Sequence, residues 1–200
     1  YFSLGSSGTQ LDTTFKIMDL TLKNGKPSNY EDGGSVYLHG FWTGTFHKGH
    51  NPLFQNVLFE SNQTKWIVNT TGSSNYNRRG GAVYAYYGSA PYFRDVTFKY
   101  NHTDYRGGAV SIQQADTNRT ITFERTNFVG NYTGQEMDGG SSYGGAVYLN
   151  ETGKVIFESS TFDSNYIAIN GNCCSNEGGA ISARNFYDSL IVRNSKFRYN

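Results

Sequence analysis

The sequence predicts an all-β fold, a right-handed parallel β-helix built as a solenoid with three short strands per coil and about five to six coils. Three observations predict it. Two short motifs alternate along the chain, a large apolar residue stands at a fixed distance from one of them, and length variation is confined to fixed points. The composition agrees: of 200 residues, 16 are Tyr, 14 Phe, 24 Gly and 20 Asn, against 3 Pro. Gly and Asn are poor helix formers, whereas aromatic and β-branched residues suit pleated, half-buried surfaces.

The first motif is Gly-Gly, a small residue, then an aliphatic one. It occurs at Gly33-Gly34-Ser35-Val36, Gly80-Gly81-Ala82-Val83, Gly107-Gly108-Ala109-Val110, Gly144-Gly145-Ala146-Val147 and Gly178-Gly179-Ala180-Ile181. After each second Gly, Val or Ile and then Leu, Ile or Ala fall on one parity. Tyr37, Tyr84, Ser111, Tyr148 and Ser182 fall on the other. A period of two is a strand signature, with the small and aliphatic set turned inward. The second Gly shares the inward parity, where a missing side chain lets backbone approach closely.

The second motif is Phe-x-x-Asn, from Phe59, Phe98, Phe128, Phe162 and Phe197, with Phe-to-Phe spacings of 39, 30, 34 and 35 residues. A degenerate copy stands at Leu20–Asn24. Five residues before each motif Phe stands Phe54, Phe93, Phe123, Phe157 or Val192, and Ile17 stands five before Leu22. On a straight strand, residues five apart face opposite sides. Both point inward only if the chain bends between them. Each coil is therefore read as a Gly-Gly strand, a short strand, a bend, and the Phe-x-x-Asn strand. Insertions of 17, 5, 12 and 12 residues lie between each Asn and the next Gly-Gly, as loops projecting from one edge of a solenoid.

This alternation of Gly-Gly-Ala-aliphatic and Phe-x-x-Asn, from about Leu20 to Asn200, resembles the repeat signature of chlamydial polymorphic outer-membrane proteins. Those are autotransporter-type adhesins with β-helical passengers, and related repeats occur in surface proteins of some protists. Ser35 departs from the pattern, which has Ala there. The resemblance implies a cell-surface passenger. Residues 1–200 read as one β-helix domain within a longer solenoid, with 1–14 as a partial cap or degenerate coil. The chain stops on the last residue of a full motif. Asn200 is therefore expected to be followed by further coils, or covered by another subunit in an end-to-end assembly.

Seventeen basic against sixteen acidic residues leave a formal charge of +1, with no electrostatic footprint for nucleic acid. The short apolar runs predict no membrane span. Six Asn-x-Thr sequons, Asn62, Asn69, Asn101, Asn118, Asn131 and Asn150, point to an extracellular or cell-surface location. Asn62, Asn101 and Asn131 are the motif position, where stacked carboxamides compete with glycosylation. Asn69, Asn118 and Asn150 are the better glycan acceptors. Cys173 and Cys174 are neighbours in a polar loop. Two loop thiols and a strained vicinal disulfide both fit, and an extracellular setting favours the bridge.

Function is read as non-enzymatic, an adhesin or a structural stalk or filament component, with a protein or glycan as partner. No cofactor or metal is expected. The binding surface is assigned to the loop-edge aromatics Trp66, Tyr76, Tyr105, Tyr132, Tyr143 and Tyr166, in Asn-, Ser- and Gly-rich surroundings suited to adaptable recognition. The outward Tyr37, Tyr84 and Tyr148 either extend that surface or shield the strands. Gln55, Arg94, Glu124, Glu158 and Arg193 occupy one column and read as a solvated charge ladder. A carbohydrate-active or carbohydrate-binding β-helix is the alternative, and two carboxylates about 5–10 Å apart in one groove would favour it. His47 and His50 form the one His pair, in a loop, too few for a metal site.

Overall fold

The computed structural model describes residues 2–4, 11–27, 32–42, 47–64, 78–134, 141–168 and 176–200. Among them the regular structure is entirely strand. The Gly-Gly strands Phe2–Leu4, Val36–His39, Val83–Tyr86, Val110–Gln113, Val147–Asn150 and Ile181–Arg184 stack in parallel as one column. The two halves of the bent segment stack likewise. Lys16–Lys23 and Leu53–Glu60 run through the bend as single strands, and later coils divide into pairs such as Ile121–Glu124 and Asn127–Val129. Register follows the motifs: Phe98 aligns with Phe59 and Phe128, and Phe162 with Phe128 and Phe197.

Two counts differ from the sequence reading. A further short column follows the motif Asn, formed by Gln63–Thr64, His102–Thr103, Tyr132–Gly134 and Tyr166–Ala168, so each full coil has four strand positions and not three. These strands are two or three residues long, too short to carry a readable apolar alternation. Among the described residues, the coils in which all four positions are filled number four, with a partly filled coil on either side of them, against the expected five to six. Phe2–Leu4, in the stretch read as a cap or degenerate coil, occupies the Gly-Gly strand position.

The bend has a specific backbone cause. Two residues after each pre-bend apolar residue stands a left-handed one: Asp19, Asn56, Asp95, Arg125, Ser159 and Asn194, with φ between 47° and 56°. One such residue resets the strand parity, so Phe54 and Phe59 both face the core. A second left-handed position lies two after the motif apolar residue, at Asn24, Ser61, Tyr100, Gly130, Ser164 and Tyr199. Such conformations cost about 1–2 kcal/mol for most L-residues. They persist because each coil hydrogen-bonds to its stacked neighbours, on both sides in the interior and on one side at the ends.

The glycine pair divides its work. The first Gly is left-handed in every copy, with φ from 65° to 73°. The second is needed for space. A Cβ on Gly81 would run into the carbonyl oxygen of Gly108 and the backbone of His102, where the post-Asn strand passes close.

Inside, two phenylalanine stacks run along the solenoid. Ring centroids are 4.8, 5.1, 4.6 and 4.6 Å apart from Phe59 through Phe98, Phe128 and Phe162 to Phe197. They are 5.1, 4.9 and 4.6 Å apart from Phe54 through Phe93 and Phe123 to Phe157. Val192 continues the second column. In the last coil Val192 and Phe197 are 43% and 47% exposed, because they have a neighbour on one side only.

Beside the rings runs an amide ladder. Asn131 Oδ1 accepts from Asn101 N and Nδ2 at 3.0 and 2.9 Å, and Asn131 Nδ2 donates to Phe98 O and Asn165 Oδ1, both at 2.9 Å. The same set links Asn62 to Asn101 and Asn165 to Asn200. One coil earlier Gly25 stands in place of the Asn. Its N–H still reaches Asn62 Oδ1, at 2.8 Å, and the Ser35 hydroxyl supplies the second donor that the absent carboxamide would have given. Ser35 Oγ also occupies the space that a Gly25 side chain would need. The two departures from the repeat, Gly25 and Ser35, are thus one compensated pair.

Candidate binding surface

The outer face of the Gly-Gly column gathers aromatic and guanidinium groups because the strand parity repeats in each coil. In the first coils five rings form one patch. Tyr37 and Tyr84 stack at 5.5 Å, Tyr84 and Tyr86 at 5.6 Å, and Tyr86 and Tyr87 meet at 3.8 Å. His39 packs against Tyr37, Tyr86 and Tyr87 at 5.4–5.8 Å. Burial, then the hydrogen bond with Tyr87, pushes the Tyr86 phenol up to about 12. Burial, with nearby His50 second, holds His39 below the ordinary imidazole range, which favours its neutral form. Tyr84 is fully buried, with Arg79 over its ring, and Tyr148 is 2% exposed. These two cover the strands, while Tyr37, His39, Tyr86 and Tyr87 are half-buried and reach solvent.

Further along, the residues just before each Gly-Gly stand in register as Arg79, Arg106, Tyr143 and Glu177. Ser111 replaces Tyr in the outward column and leaves room for the Arg106 guanidinium. That group lies 4.3 Å from the Tyr105 ring, 5.0 Å from Tyr148 and 5.5 Å from Tyr143. Arg184 lies 4.3 Å from Tyr143 and is hydrogen-bonded to Glu177. Asp32 accepts the Arg79 N–H at 2.8 Å. Burial pushes the Asp32 carboxyl up to about 6, opposed by Arg79.

Of the residues assigned to recognition from the sequence, the structure brings Tyr105 and Tyr143 together, with centroids 6.2 Å apart around Arg106. Tyr132 and Tyr166 form a separate outward stack with His102, at 5.0 and 4.2 Å, on the post-Asn column. Tyr166 is exposed, whereas Tyr143 is buried. Trp66 and Tyr76 lie outside the described residues, as do Asn69, Cys173 and Cys174. Arg106, His39 and Tyr86 were not singled out from the sequence. Their signal was present, since each sits at a fixed offset from a Gly-Gly pair.

The sequons separate physically. Asn62, Asn101 and Asn131 are fully buried in the ladder, with Nδ2 engaged. Asn150 donates from Nδ2 to Glu151 and accepts from Asn185 Nδ2, at 3.1 and 2.9 Å, and Thr152 of its sequon is fully buried. Asn118 and Thr120 are exposed, in a turn closed by the Asn118 N–H to Asp116 bond.

The column Gln55, Arg94, Glu124, Glu158, Arg193 is in register, with ion pairs between Arg94 and Glu124 and between Glu158 and Arg193. A groove of about 500 Å³ runs along the bend and is lined by Asp19, Asn56, Asp95, Thr97 and Lys99 among others. Asp95 is clamped by Arg125 at 2.6 and 2.9 Å, which holds its carboxyl below the usual range. Asp19 accepts from Asn56 Nδ2 at 2.8 Å. A buried pair was overlooked in the sequence: His102 Nε2 lies 3.2 Å from Asp104 Oδ1. His50 is buried, its Nδ1 facing the Leu11 N–H at 3.4 Å. Among the described residues, no group of three or more His, Cys, Asp or Glu is placed to hold a metal ion, and no helix is long and apolar enough to cross a membrane.

Comparisons of the chain with family models, with curated proteins and with solved structures found no match.

Proposed function

We propose that this chain is a non-enzymatic β-solenoid of the cell surface or extracellular space, acting as an adhesin or as a stalk or filament element. The observation that carries the reading is the outer face of the Gly-Gly column, where Tyr, His and Arg side chains recur in successive coils on a rigid laddered core. Tyr gives large contact area at low conformational cost, and Tyr and Arg are both enriched among the residues that dominate recognition surfaces. The repeat resemblance and the Asn-x-Thr sequons favour the surface location.

The test is binding of fluorescently labelled protein to intact animal cells, with Y37A/Y86A as the variant. Saturable binding reduced at least tenfold by the variant supports the reading. Binding equal in both proteins, or none, overturns the adhesin role and leaves the stalk or filament role, which end-to-end association in sizing across a concentration series would support and a strictly monomeric product would overturn. The second reading, a carbohydrate-active solenoid, rests on the bend groove with Asp19 and Asp95 in its lining. Two coils separate these residues, about 10 Å of solenoid rise. Release of reducing sugar from acidic or neutral polysaccharides, abolished in D19N, would establish it in place of the first.

A further inference from the structure

We infer that Arg106 is the anchor for a carboxylate carried by an acidic glycan, which gives the proposed recognition surface its ligand class; the inference rests on that reading. Six other arginines, Arg79, Arg94, Arg119, Arg125, Arg184 and Arg193, each have a carboxylate within 4 Å. Among the described residues, Arg106 has no such ion pair. It is half-buried and held by three tyrosine rings.

The carboxylates on this face are already engaged. Asp32 accepts from the Arg79 main chain, and Glu177 is bonded to Arg184. Arg79 and Arg106 also lie in register in adjacent coils, like charge beside like charge. Placing cations opposite one another on a sheet is unfavourable. Partly removing a guanidinium from water without an anion is costly as well. Cation–π contacts offset only about 0.5–2 kcal/mol of this. Among the described residues, Arg106 therefore has no carboxylate within ion-pair distance, and its charge reaches Asp32 only at longer range.

The hydrogen bonds at Arg106 leave one edge weakly used. Nη2 donates to the Tyr105 hydroxyl at 2.6 Å, and Nη1 has only a long 3.4 Å bond to Gln113 Oε1. A planar carboxylate meeting Nη1 would replace that weak bond with a charge-assisted one, and guanidinium geometry favours carboxylate recognition. The neighbouring half-buried Tyr105 offers a ring edge and hydroxyl to a sugar. An acidic glycan supplies both halves of this chemistry, the carboxylate and the polyhydroxylated ring.

The test uses the whole 200-residue protein, titrated with a hyaluronan hexasaccharide, which carries glucuronate. Chitohexaose is the neutral probe and a dextran sulfate oligosaccharide, sulfated and free of carboxylate, the sulfated one. Circular dichroism and thermal melting confirm that R106Q and R106K remain folded. The expected result is binding of the hyaluronan probe that falls at least tenfold in R106Q, falls less in R106K, and is unchanged in R198Q, an exposed charge-matched control. Equal binding by wild type and R106Q overturns the inference, and so does binding of the neutral or the sulfated probe alone. Both results leave the adhesive reading standing. No binding of any probe also overturns the inference, and the cell-binding assay with Y37A/Y86A then decides the wider reading separately.

Discussion

Asn131→Ala isolates the amide ladder from the phenylalanine stacks. The side chain accepts two hydrogen bonds from Asn101 and donates two, to Phe98 O and Asn165 Oδ1, in a fully buried site. Truncation leaves the Asn101 main-chain N–H, one Asn101 Nδ2 hydrogen and the Phe98 carbonyl without this partner. An orphaned buried polar group costs about 1–3 kcal/mol, so three predict a loss of about 3–6 kcal/mol after partial relaxation. That rivals Phe128→Ala, at about 3–5 kcal/mol, although far less apolar area is removed. Asn131→Asp keeps the shape and both acceptor functions but turns two donors into lone pairs facing oxygens. The new carboxyl would have a folded pKa above its unfolded value. Its contribution is therefore retained at low pH and lost as pH rises through the folded pKa, so this variant should be most destabilised above neutrality. Urea melts followed by tyrosine fluorescence give the stability, and hydrogen exchange at the Asn101 amide gives the local opening. Asn118→Ala, exposed, serves as the reference and should lie within about 0.5 kcal/mol of wild type. If Asn131→Ala costs under about 1 kcal/mol, with the Asn101 amide still protected, the ladder is not a source of stability and the reasoning fails.

Three further outcomes follow from other sites. Asp32 has a folded pKa of about 6 against 3.8 unfolded, so its protonated form is favoured in the native state, and the stability present below pH 4 is lost as pH rises through 6. About two pKa steps correspond to roughly 3 kcal/mol. Asp32→Asn should remove that slope between pH 4 and 7 in pH-dependent melts, and an unchanged slope would contradict the assignment. Ser35→Ala should cost about 1–2 kcal/mol through the second acceptor bond of Asn62, whereas Ala109→Ser, in an intact ladder coil, should bring no compensating gain; urea midpoints measure both. Expressed through a eukaryotic secretory pathway, the protein should carry sugar at Asn118 and none at Asn62, Asn101 or Asn131 by peptide mass spectrometry; a glycan on any ladder Asn would mean that position is not buried.

What the sequence made legible was periodic, and what it hid was local. The constant interval of five between Phe54 and Phe59, repeated through Val192 and Phe197, requires a bend, and the left-handed residues at Asn56, Asp95 and Arg125 provide it. Their identities differ, so no residue pattern marked the position. Only the parity of the flanking phenylalanines did. The post-Asn strands were invisible for a related reason. Pairs such as His102–Thr103 lie beside the second glycines, where neighbouring backbone fixes the chain and side-chain hydropathy has little to report. The recognition face shows the same limit. Outward tyrosines were readable from alternation, but their exposure depends on what lies across them. Tyr84 is closed off beneath Arg79, and Ser111 opens the place that Arg106 fills. A repeat specifies where each side chain starts and which coil it neighbours. The departures from the repeat, Ser111 in the outward column and Ser35 with Gly25 in the ladder, decide which surface is closed and, among the described residues, which guanidinium has no carboxylate within ion-pair distance.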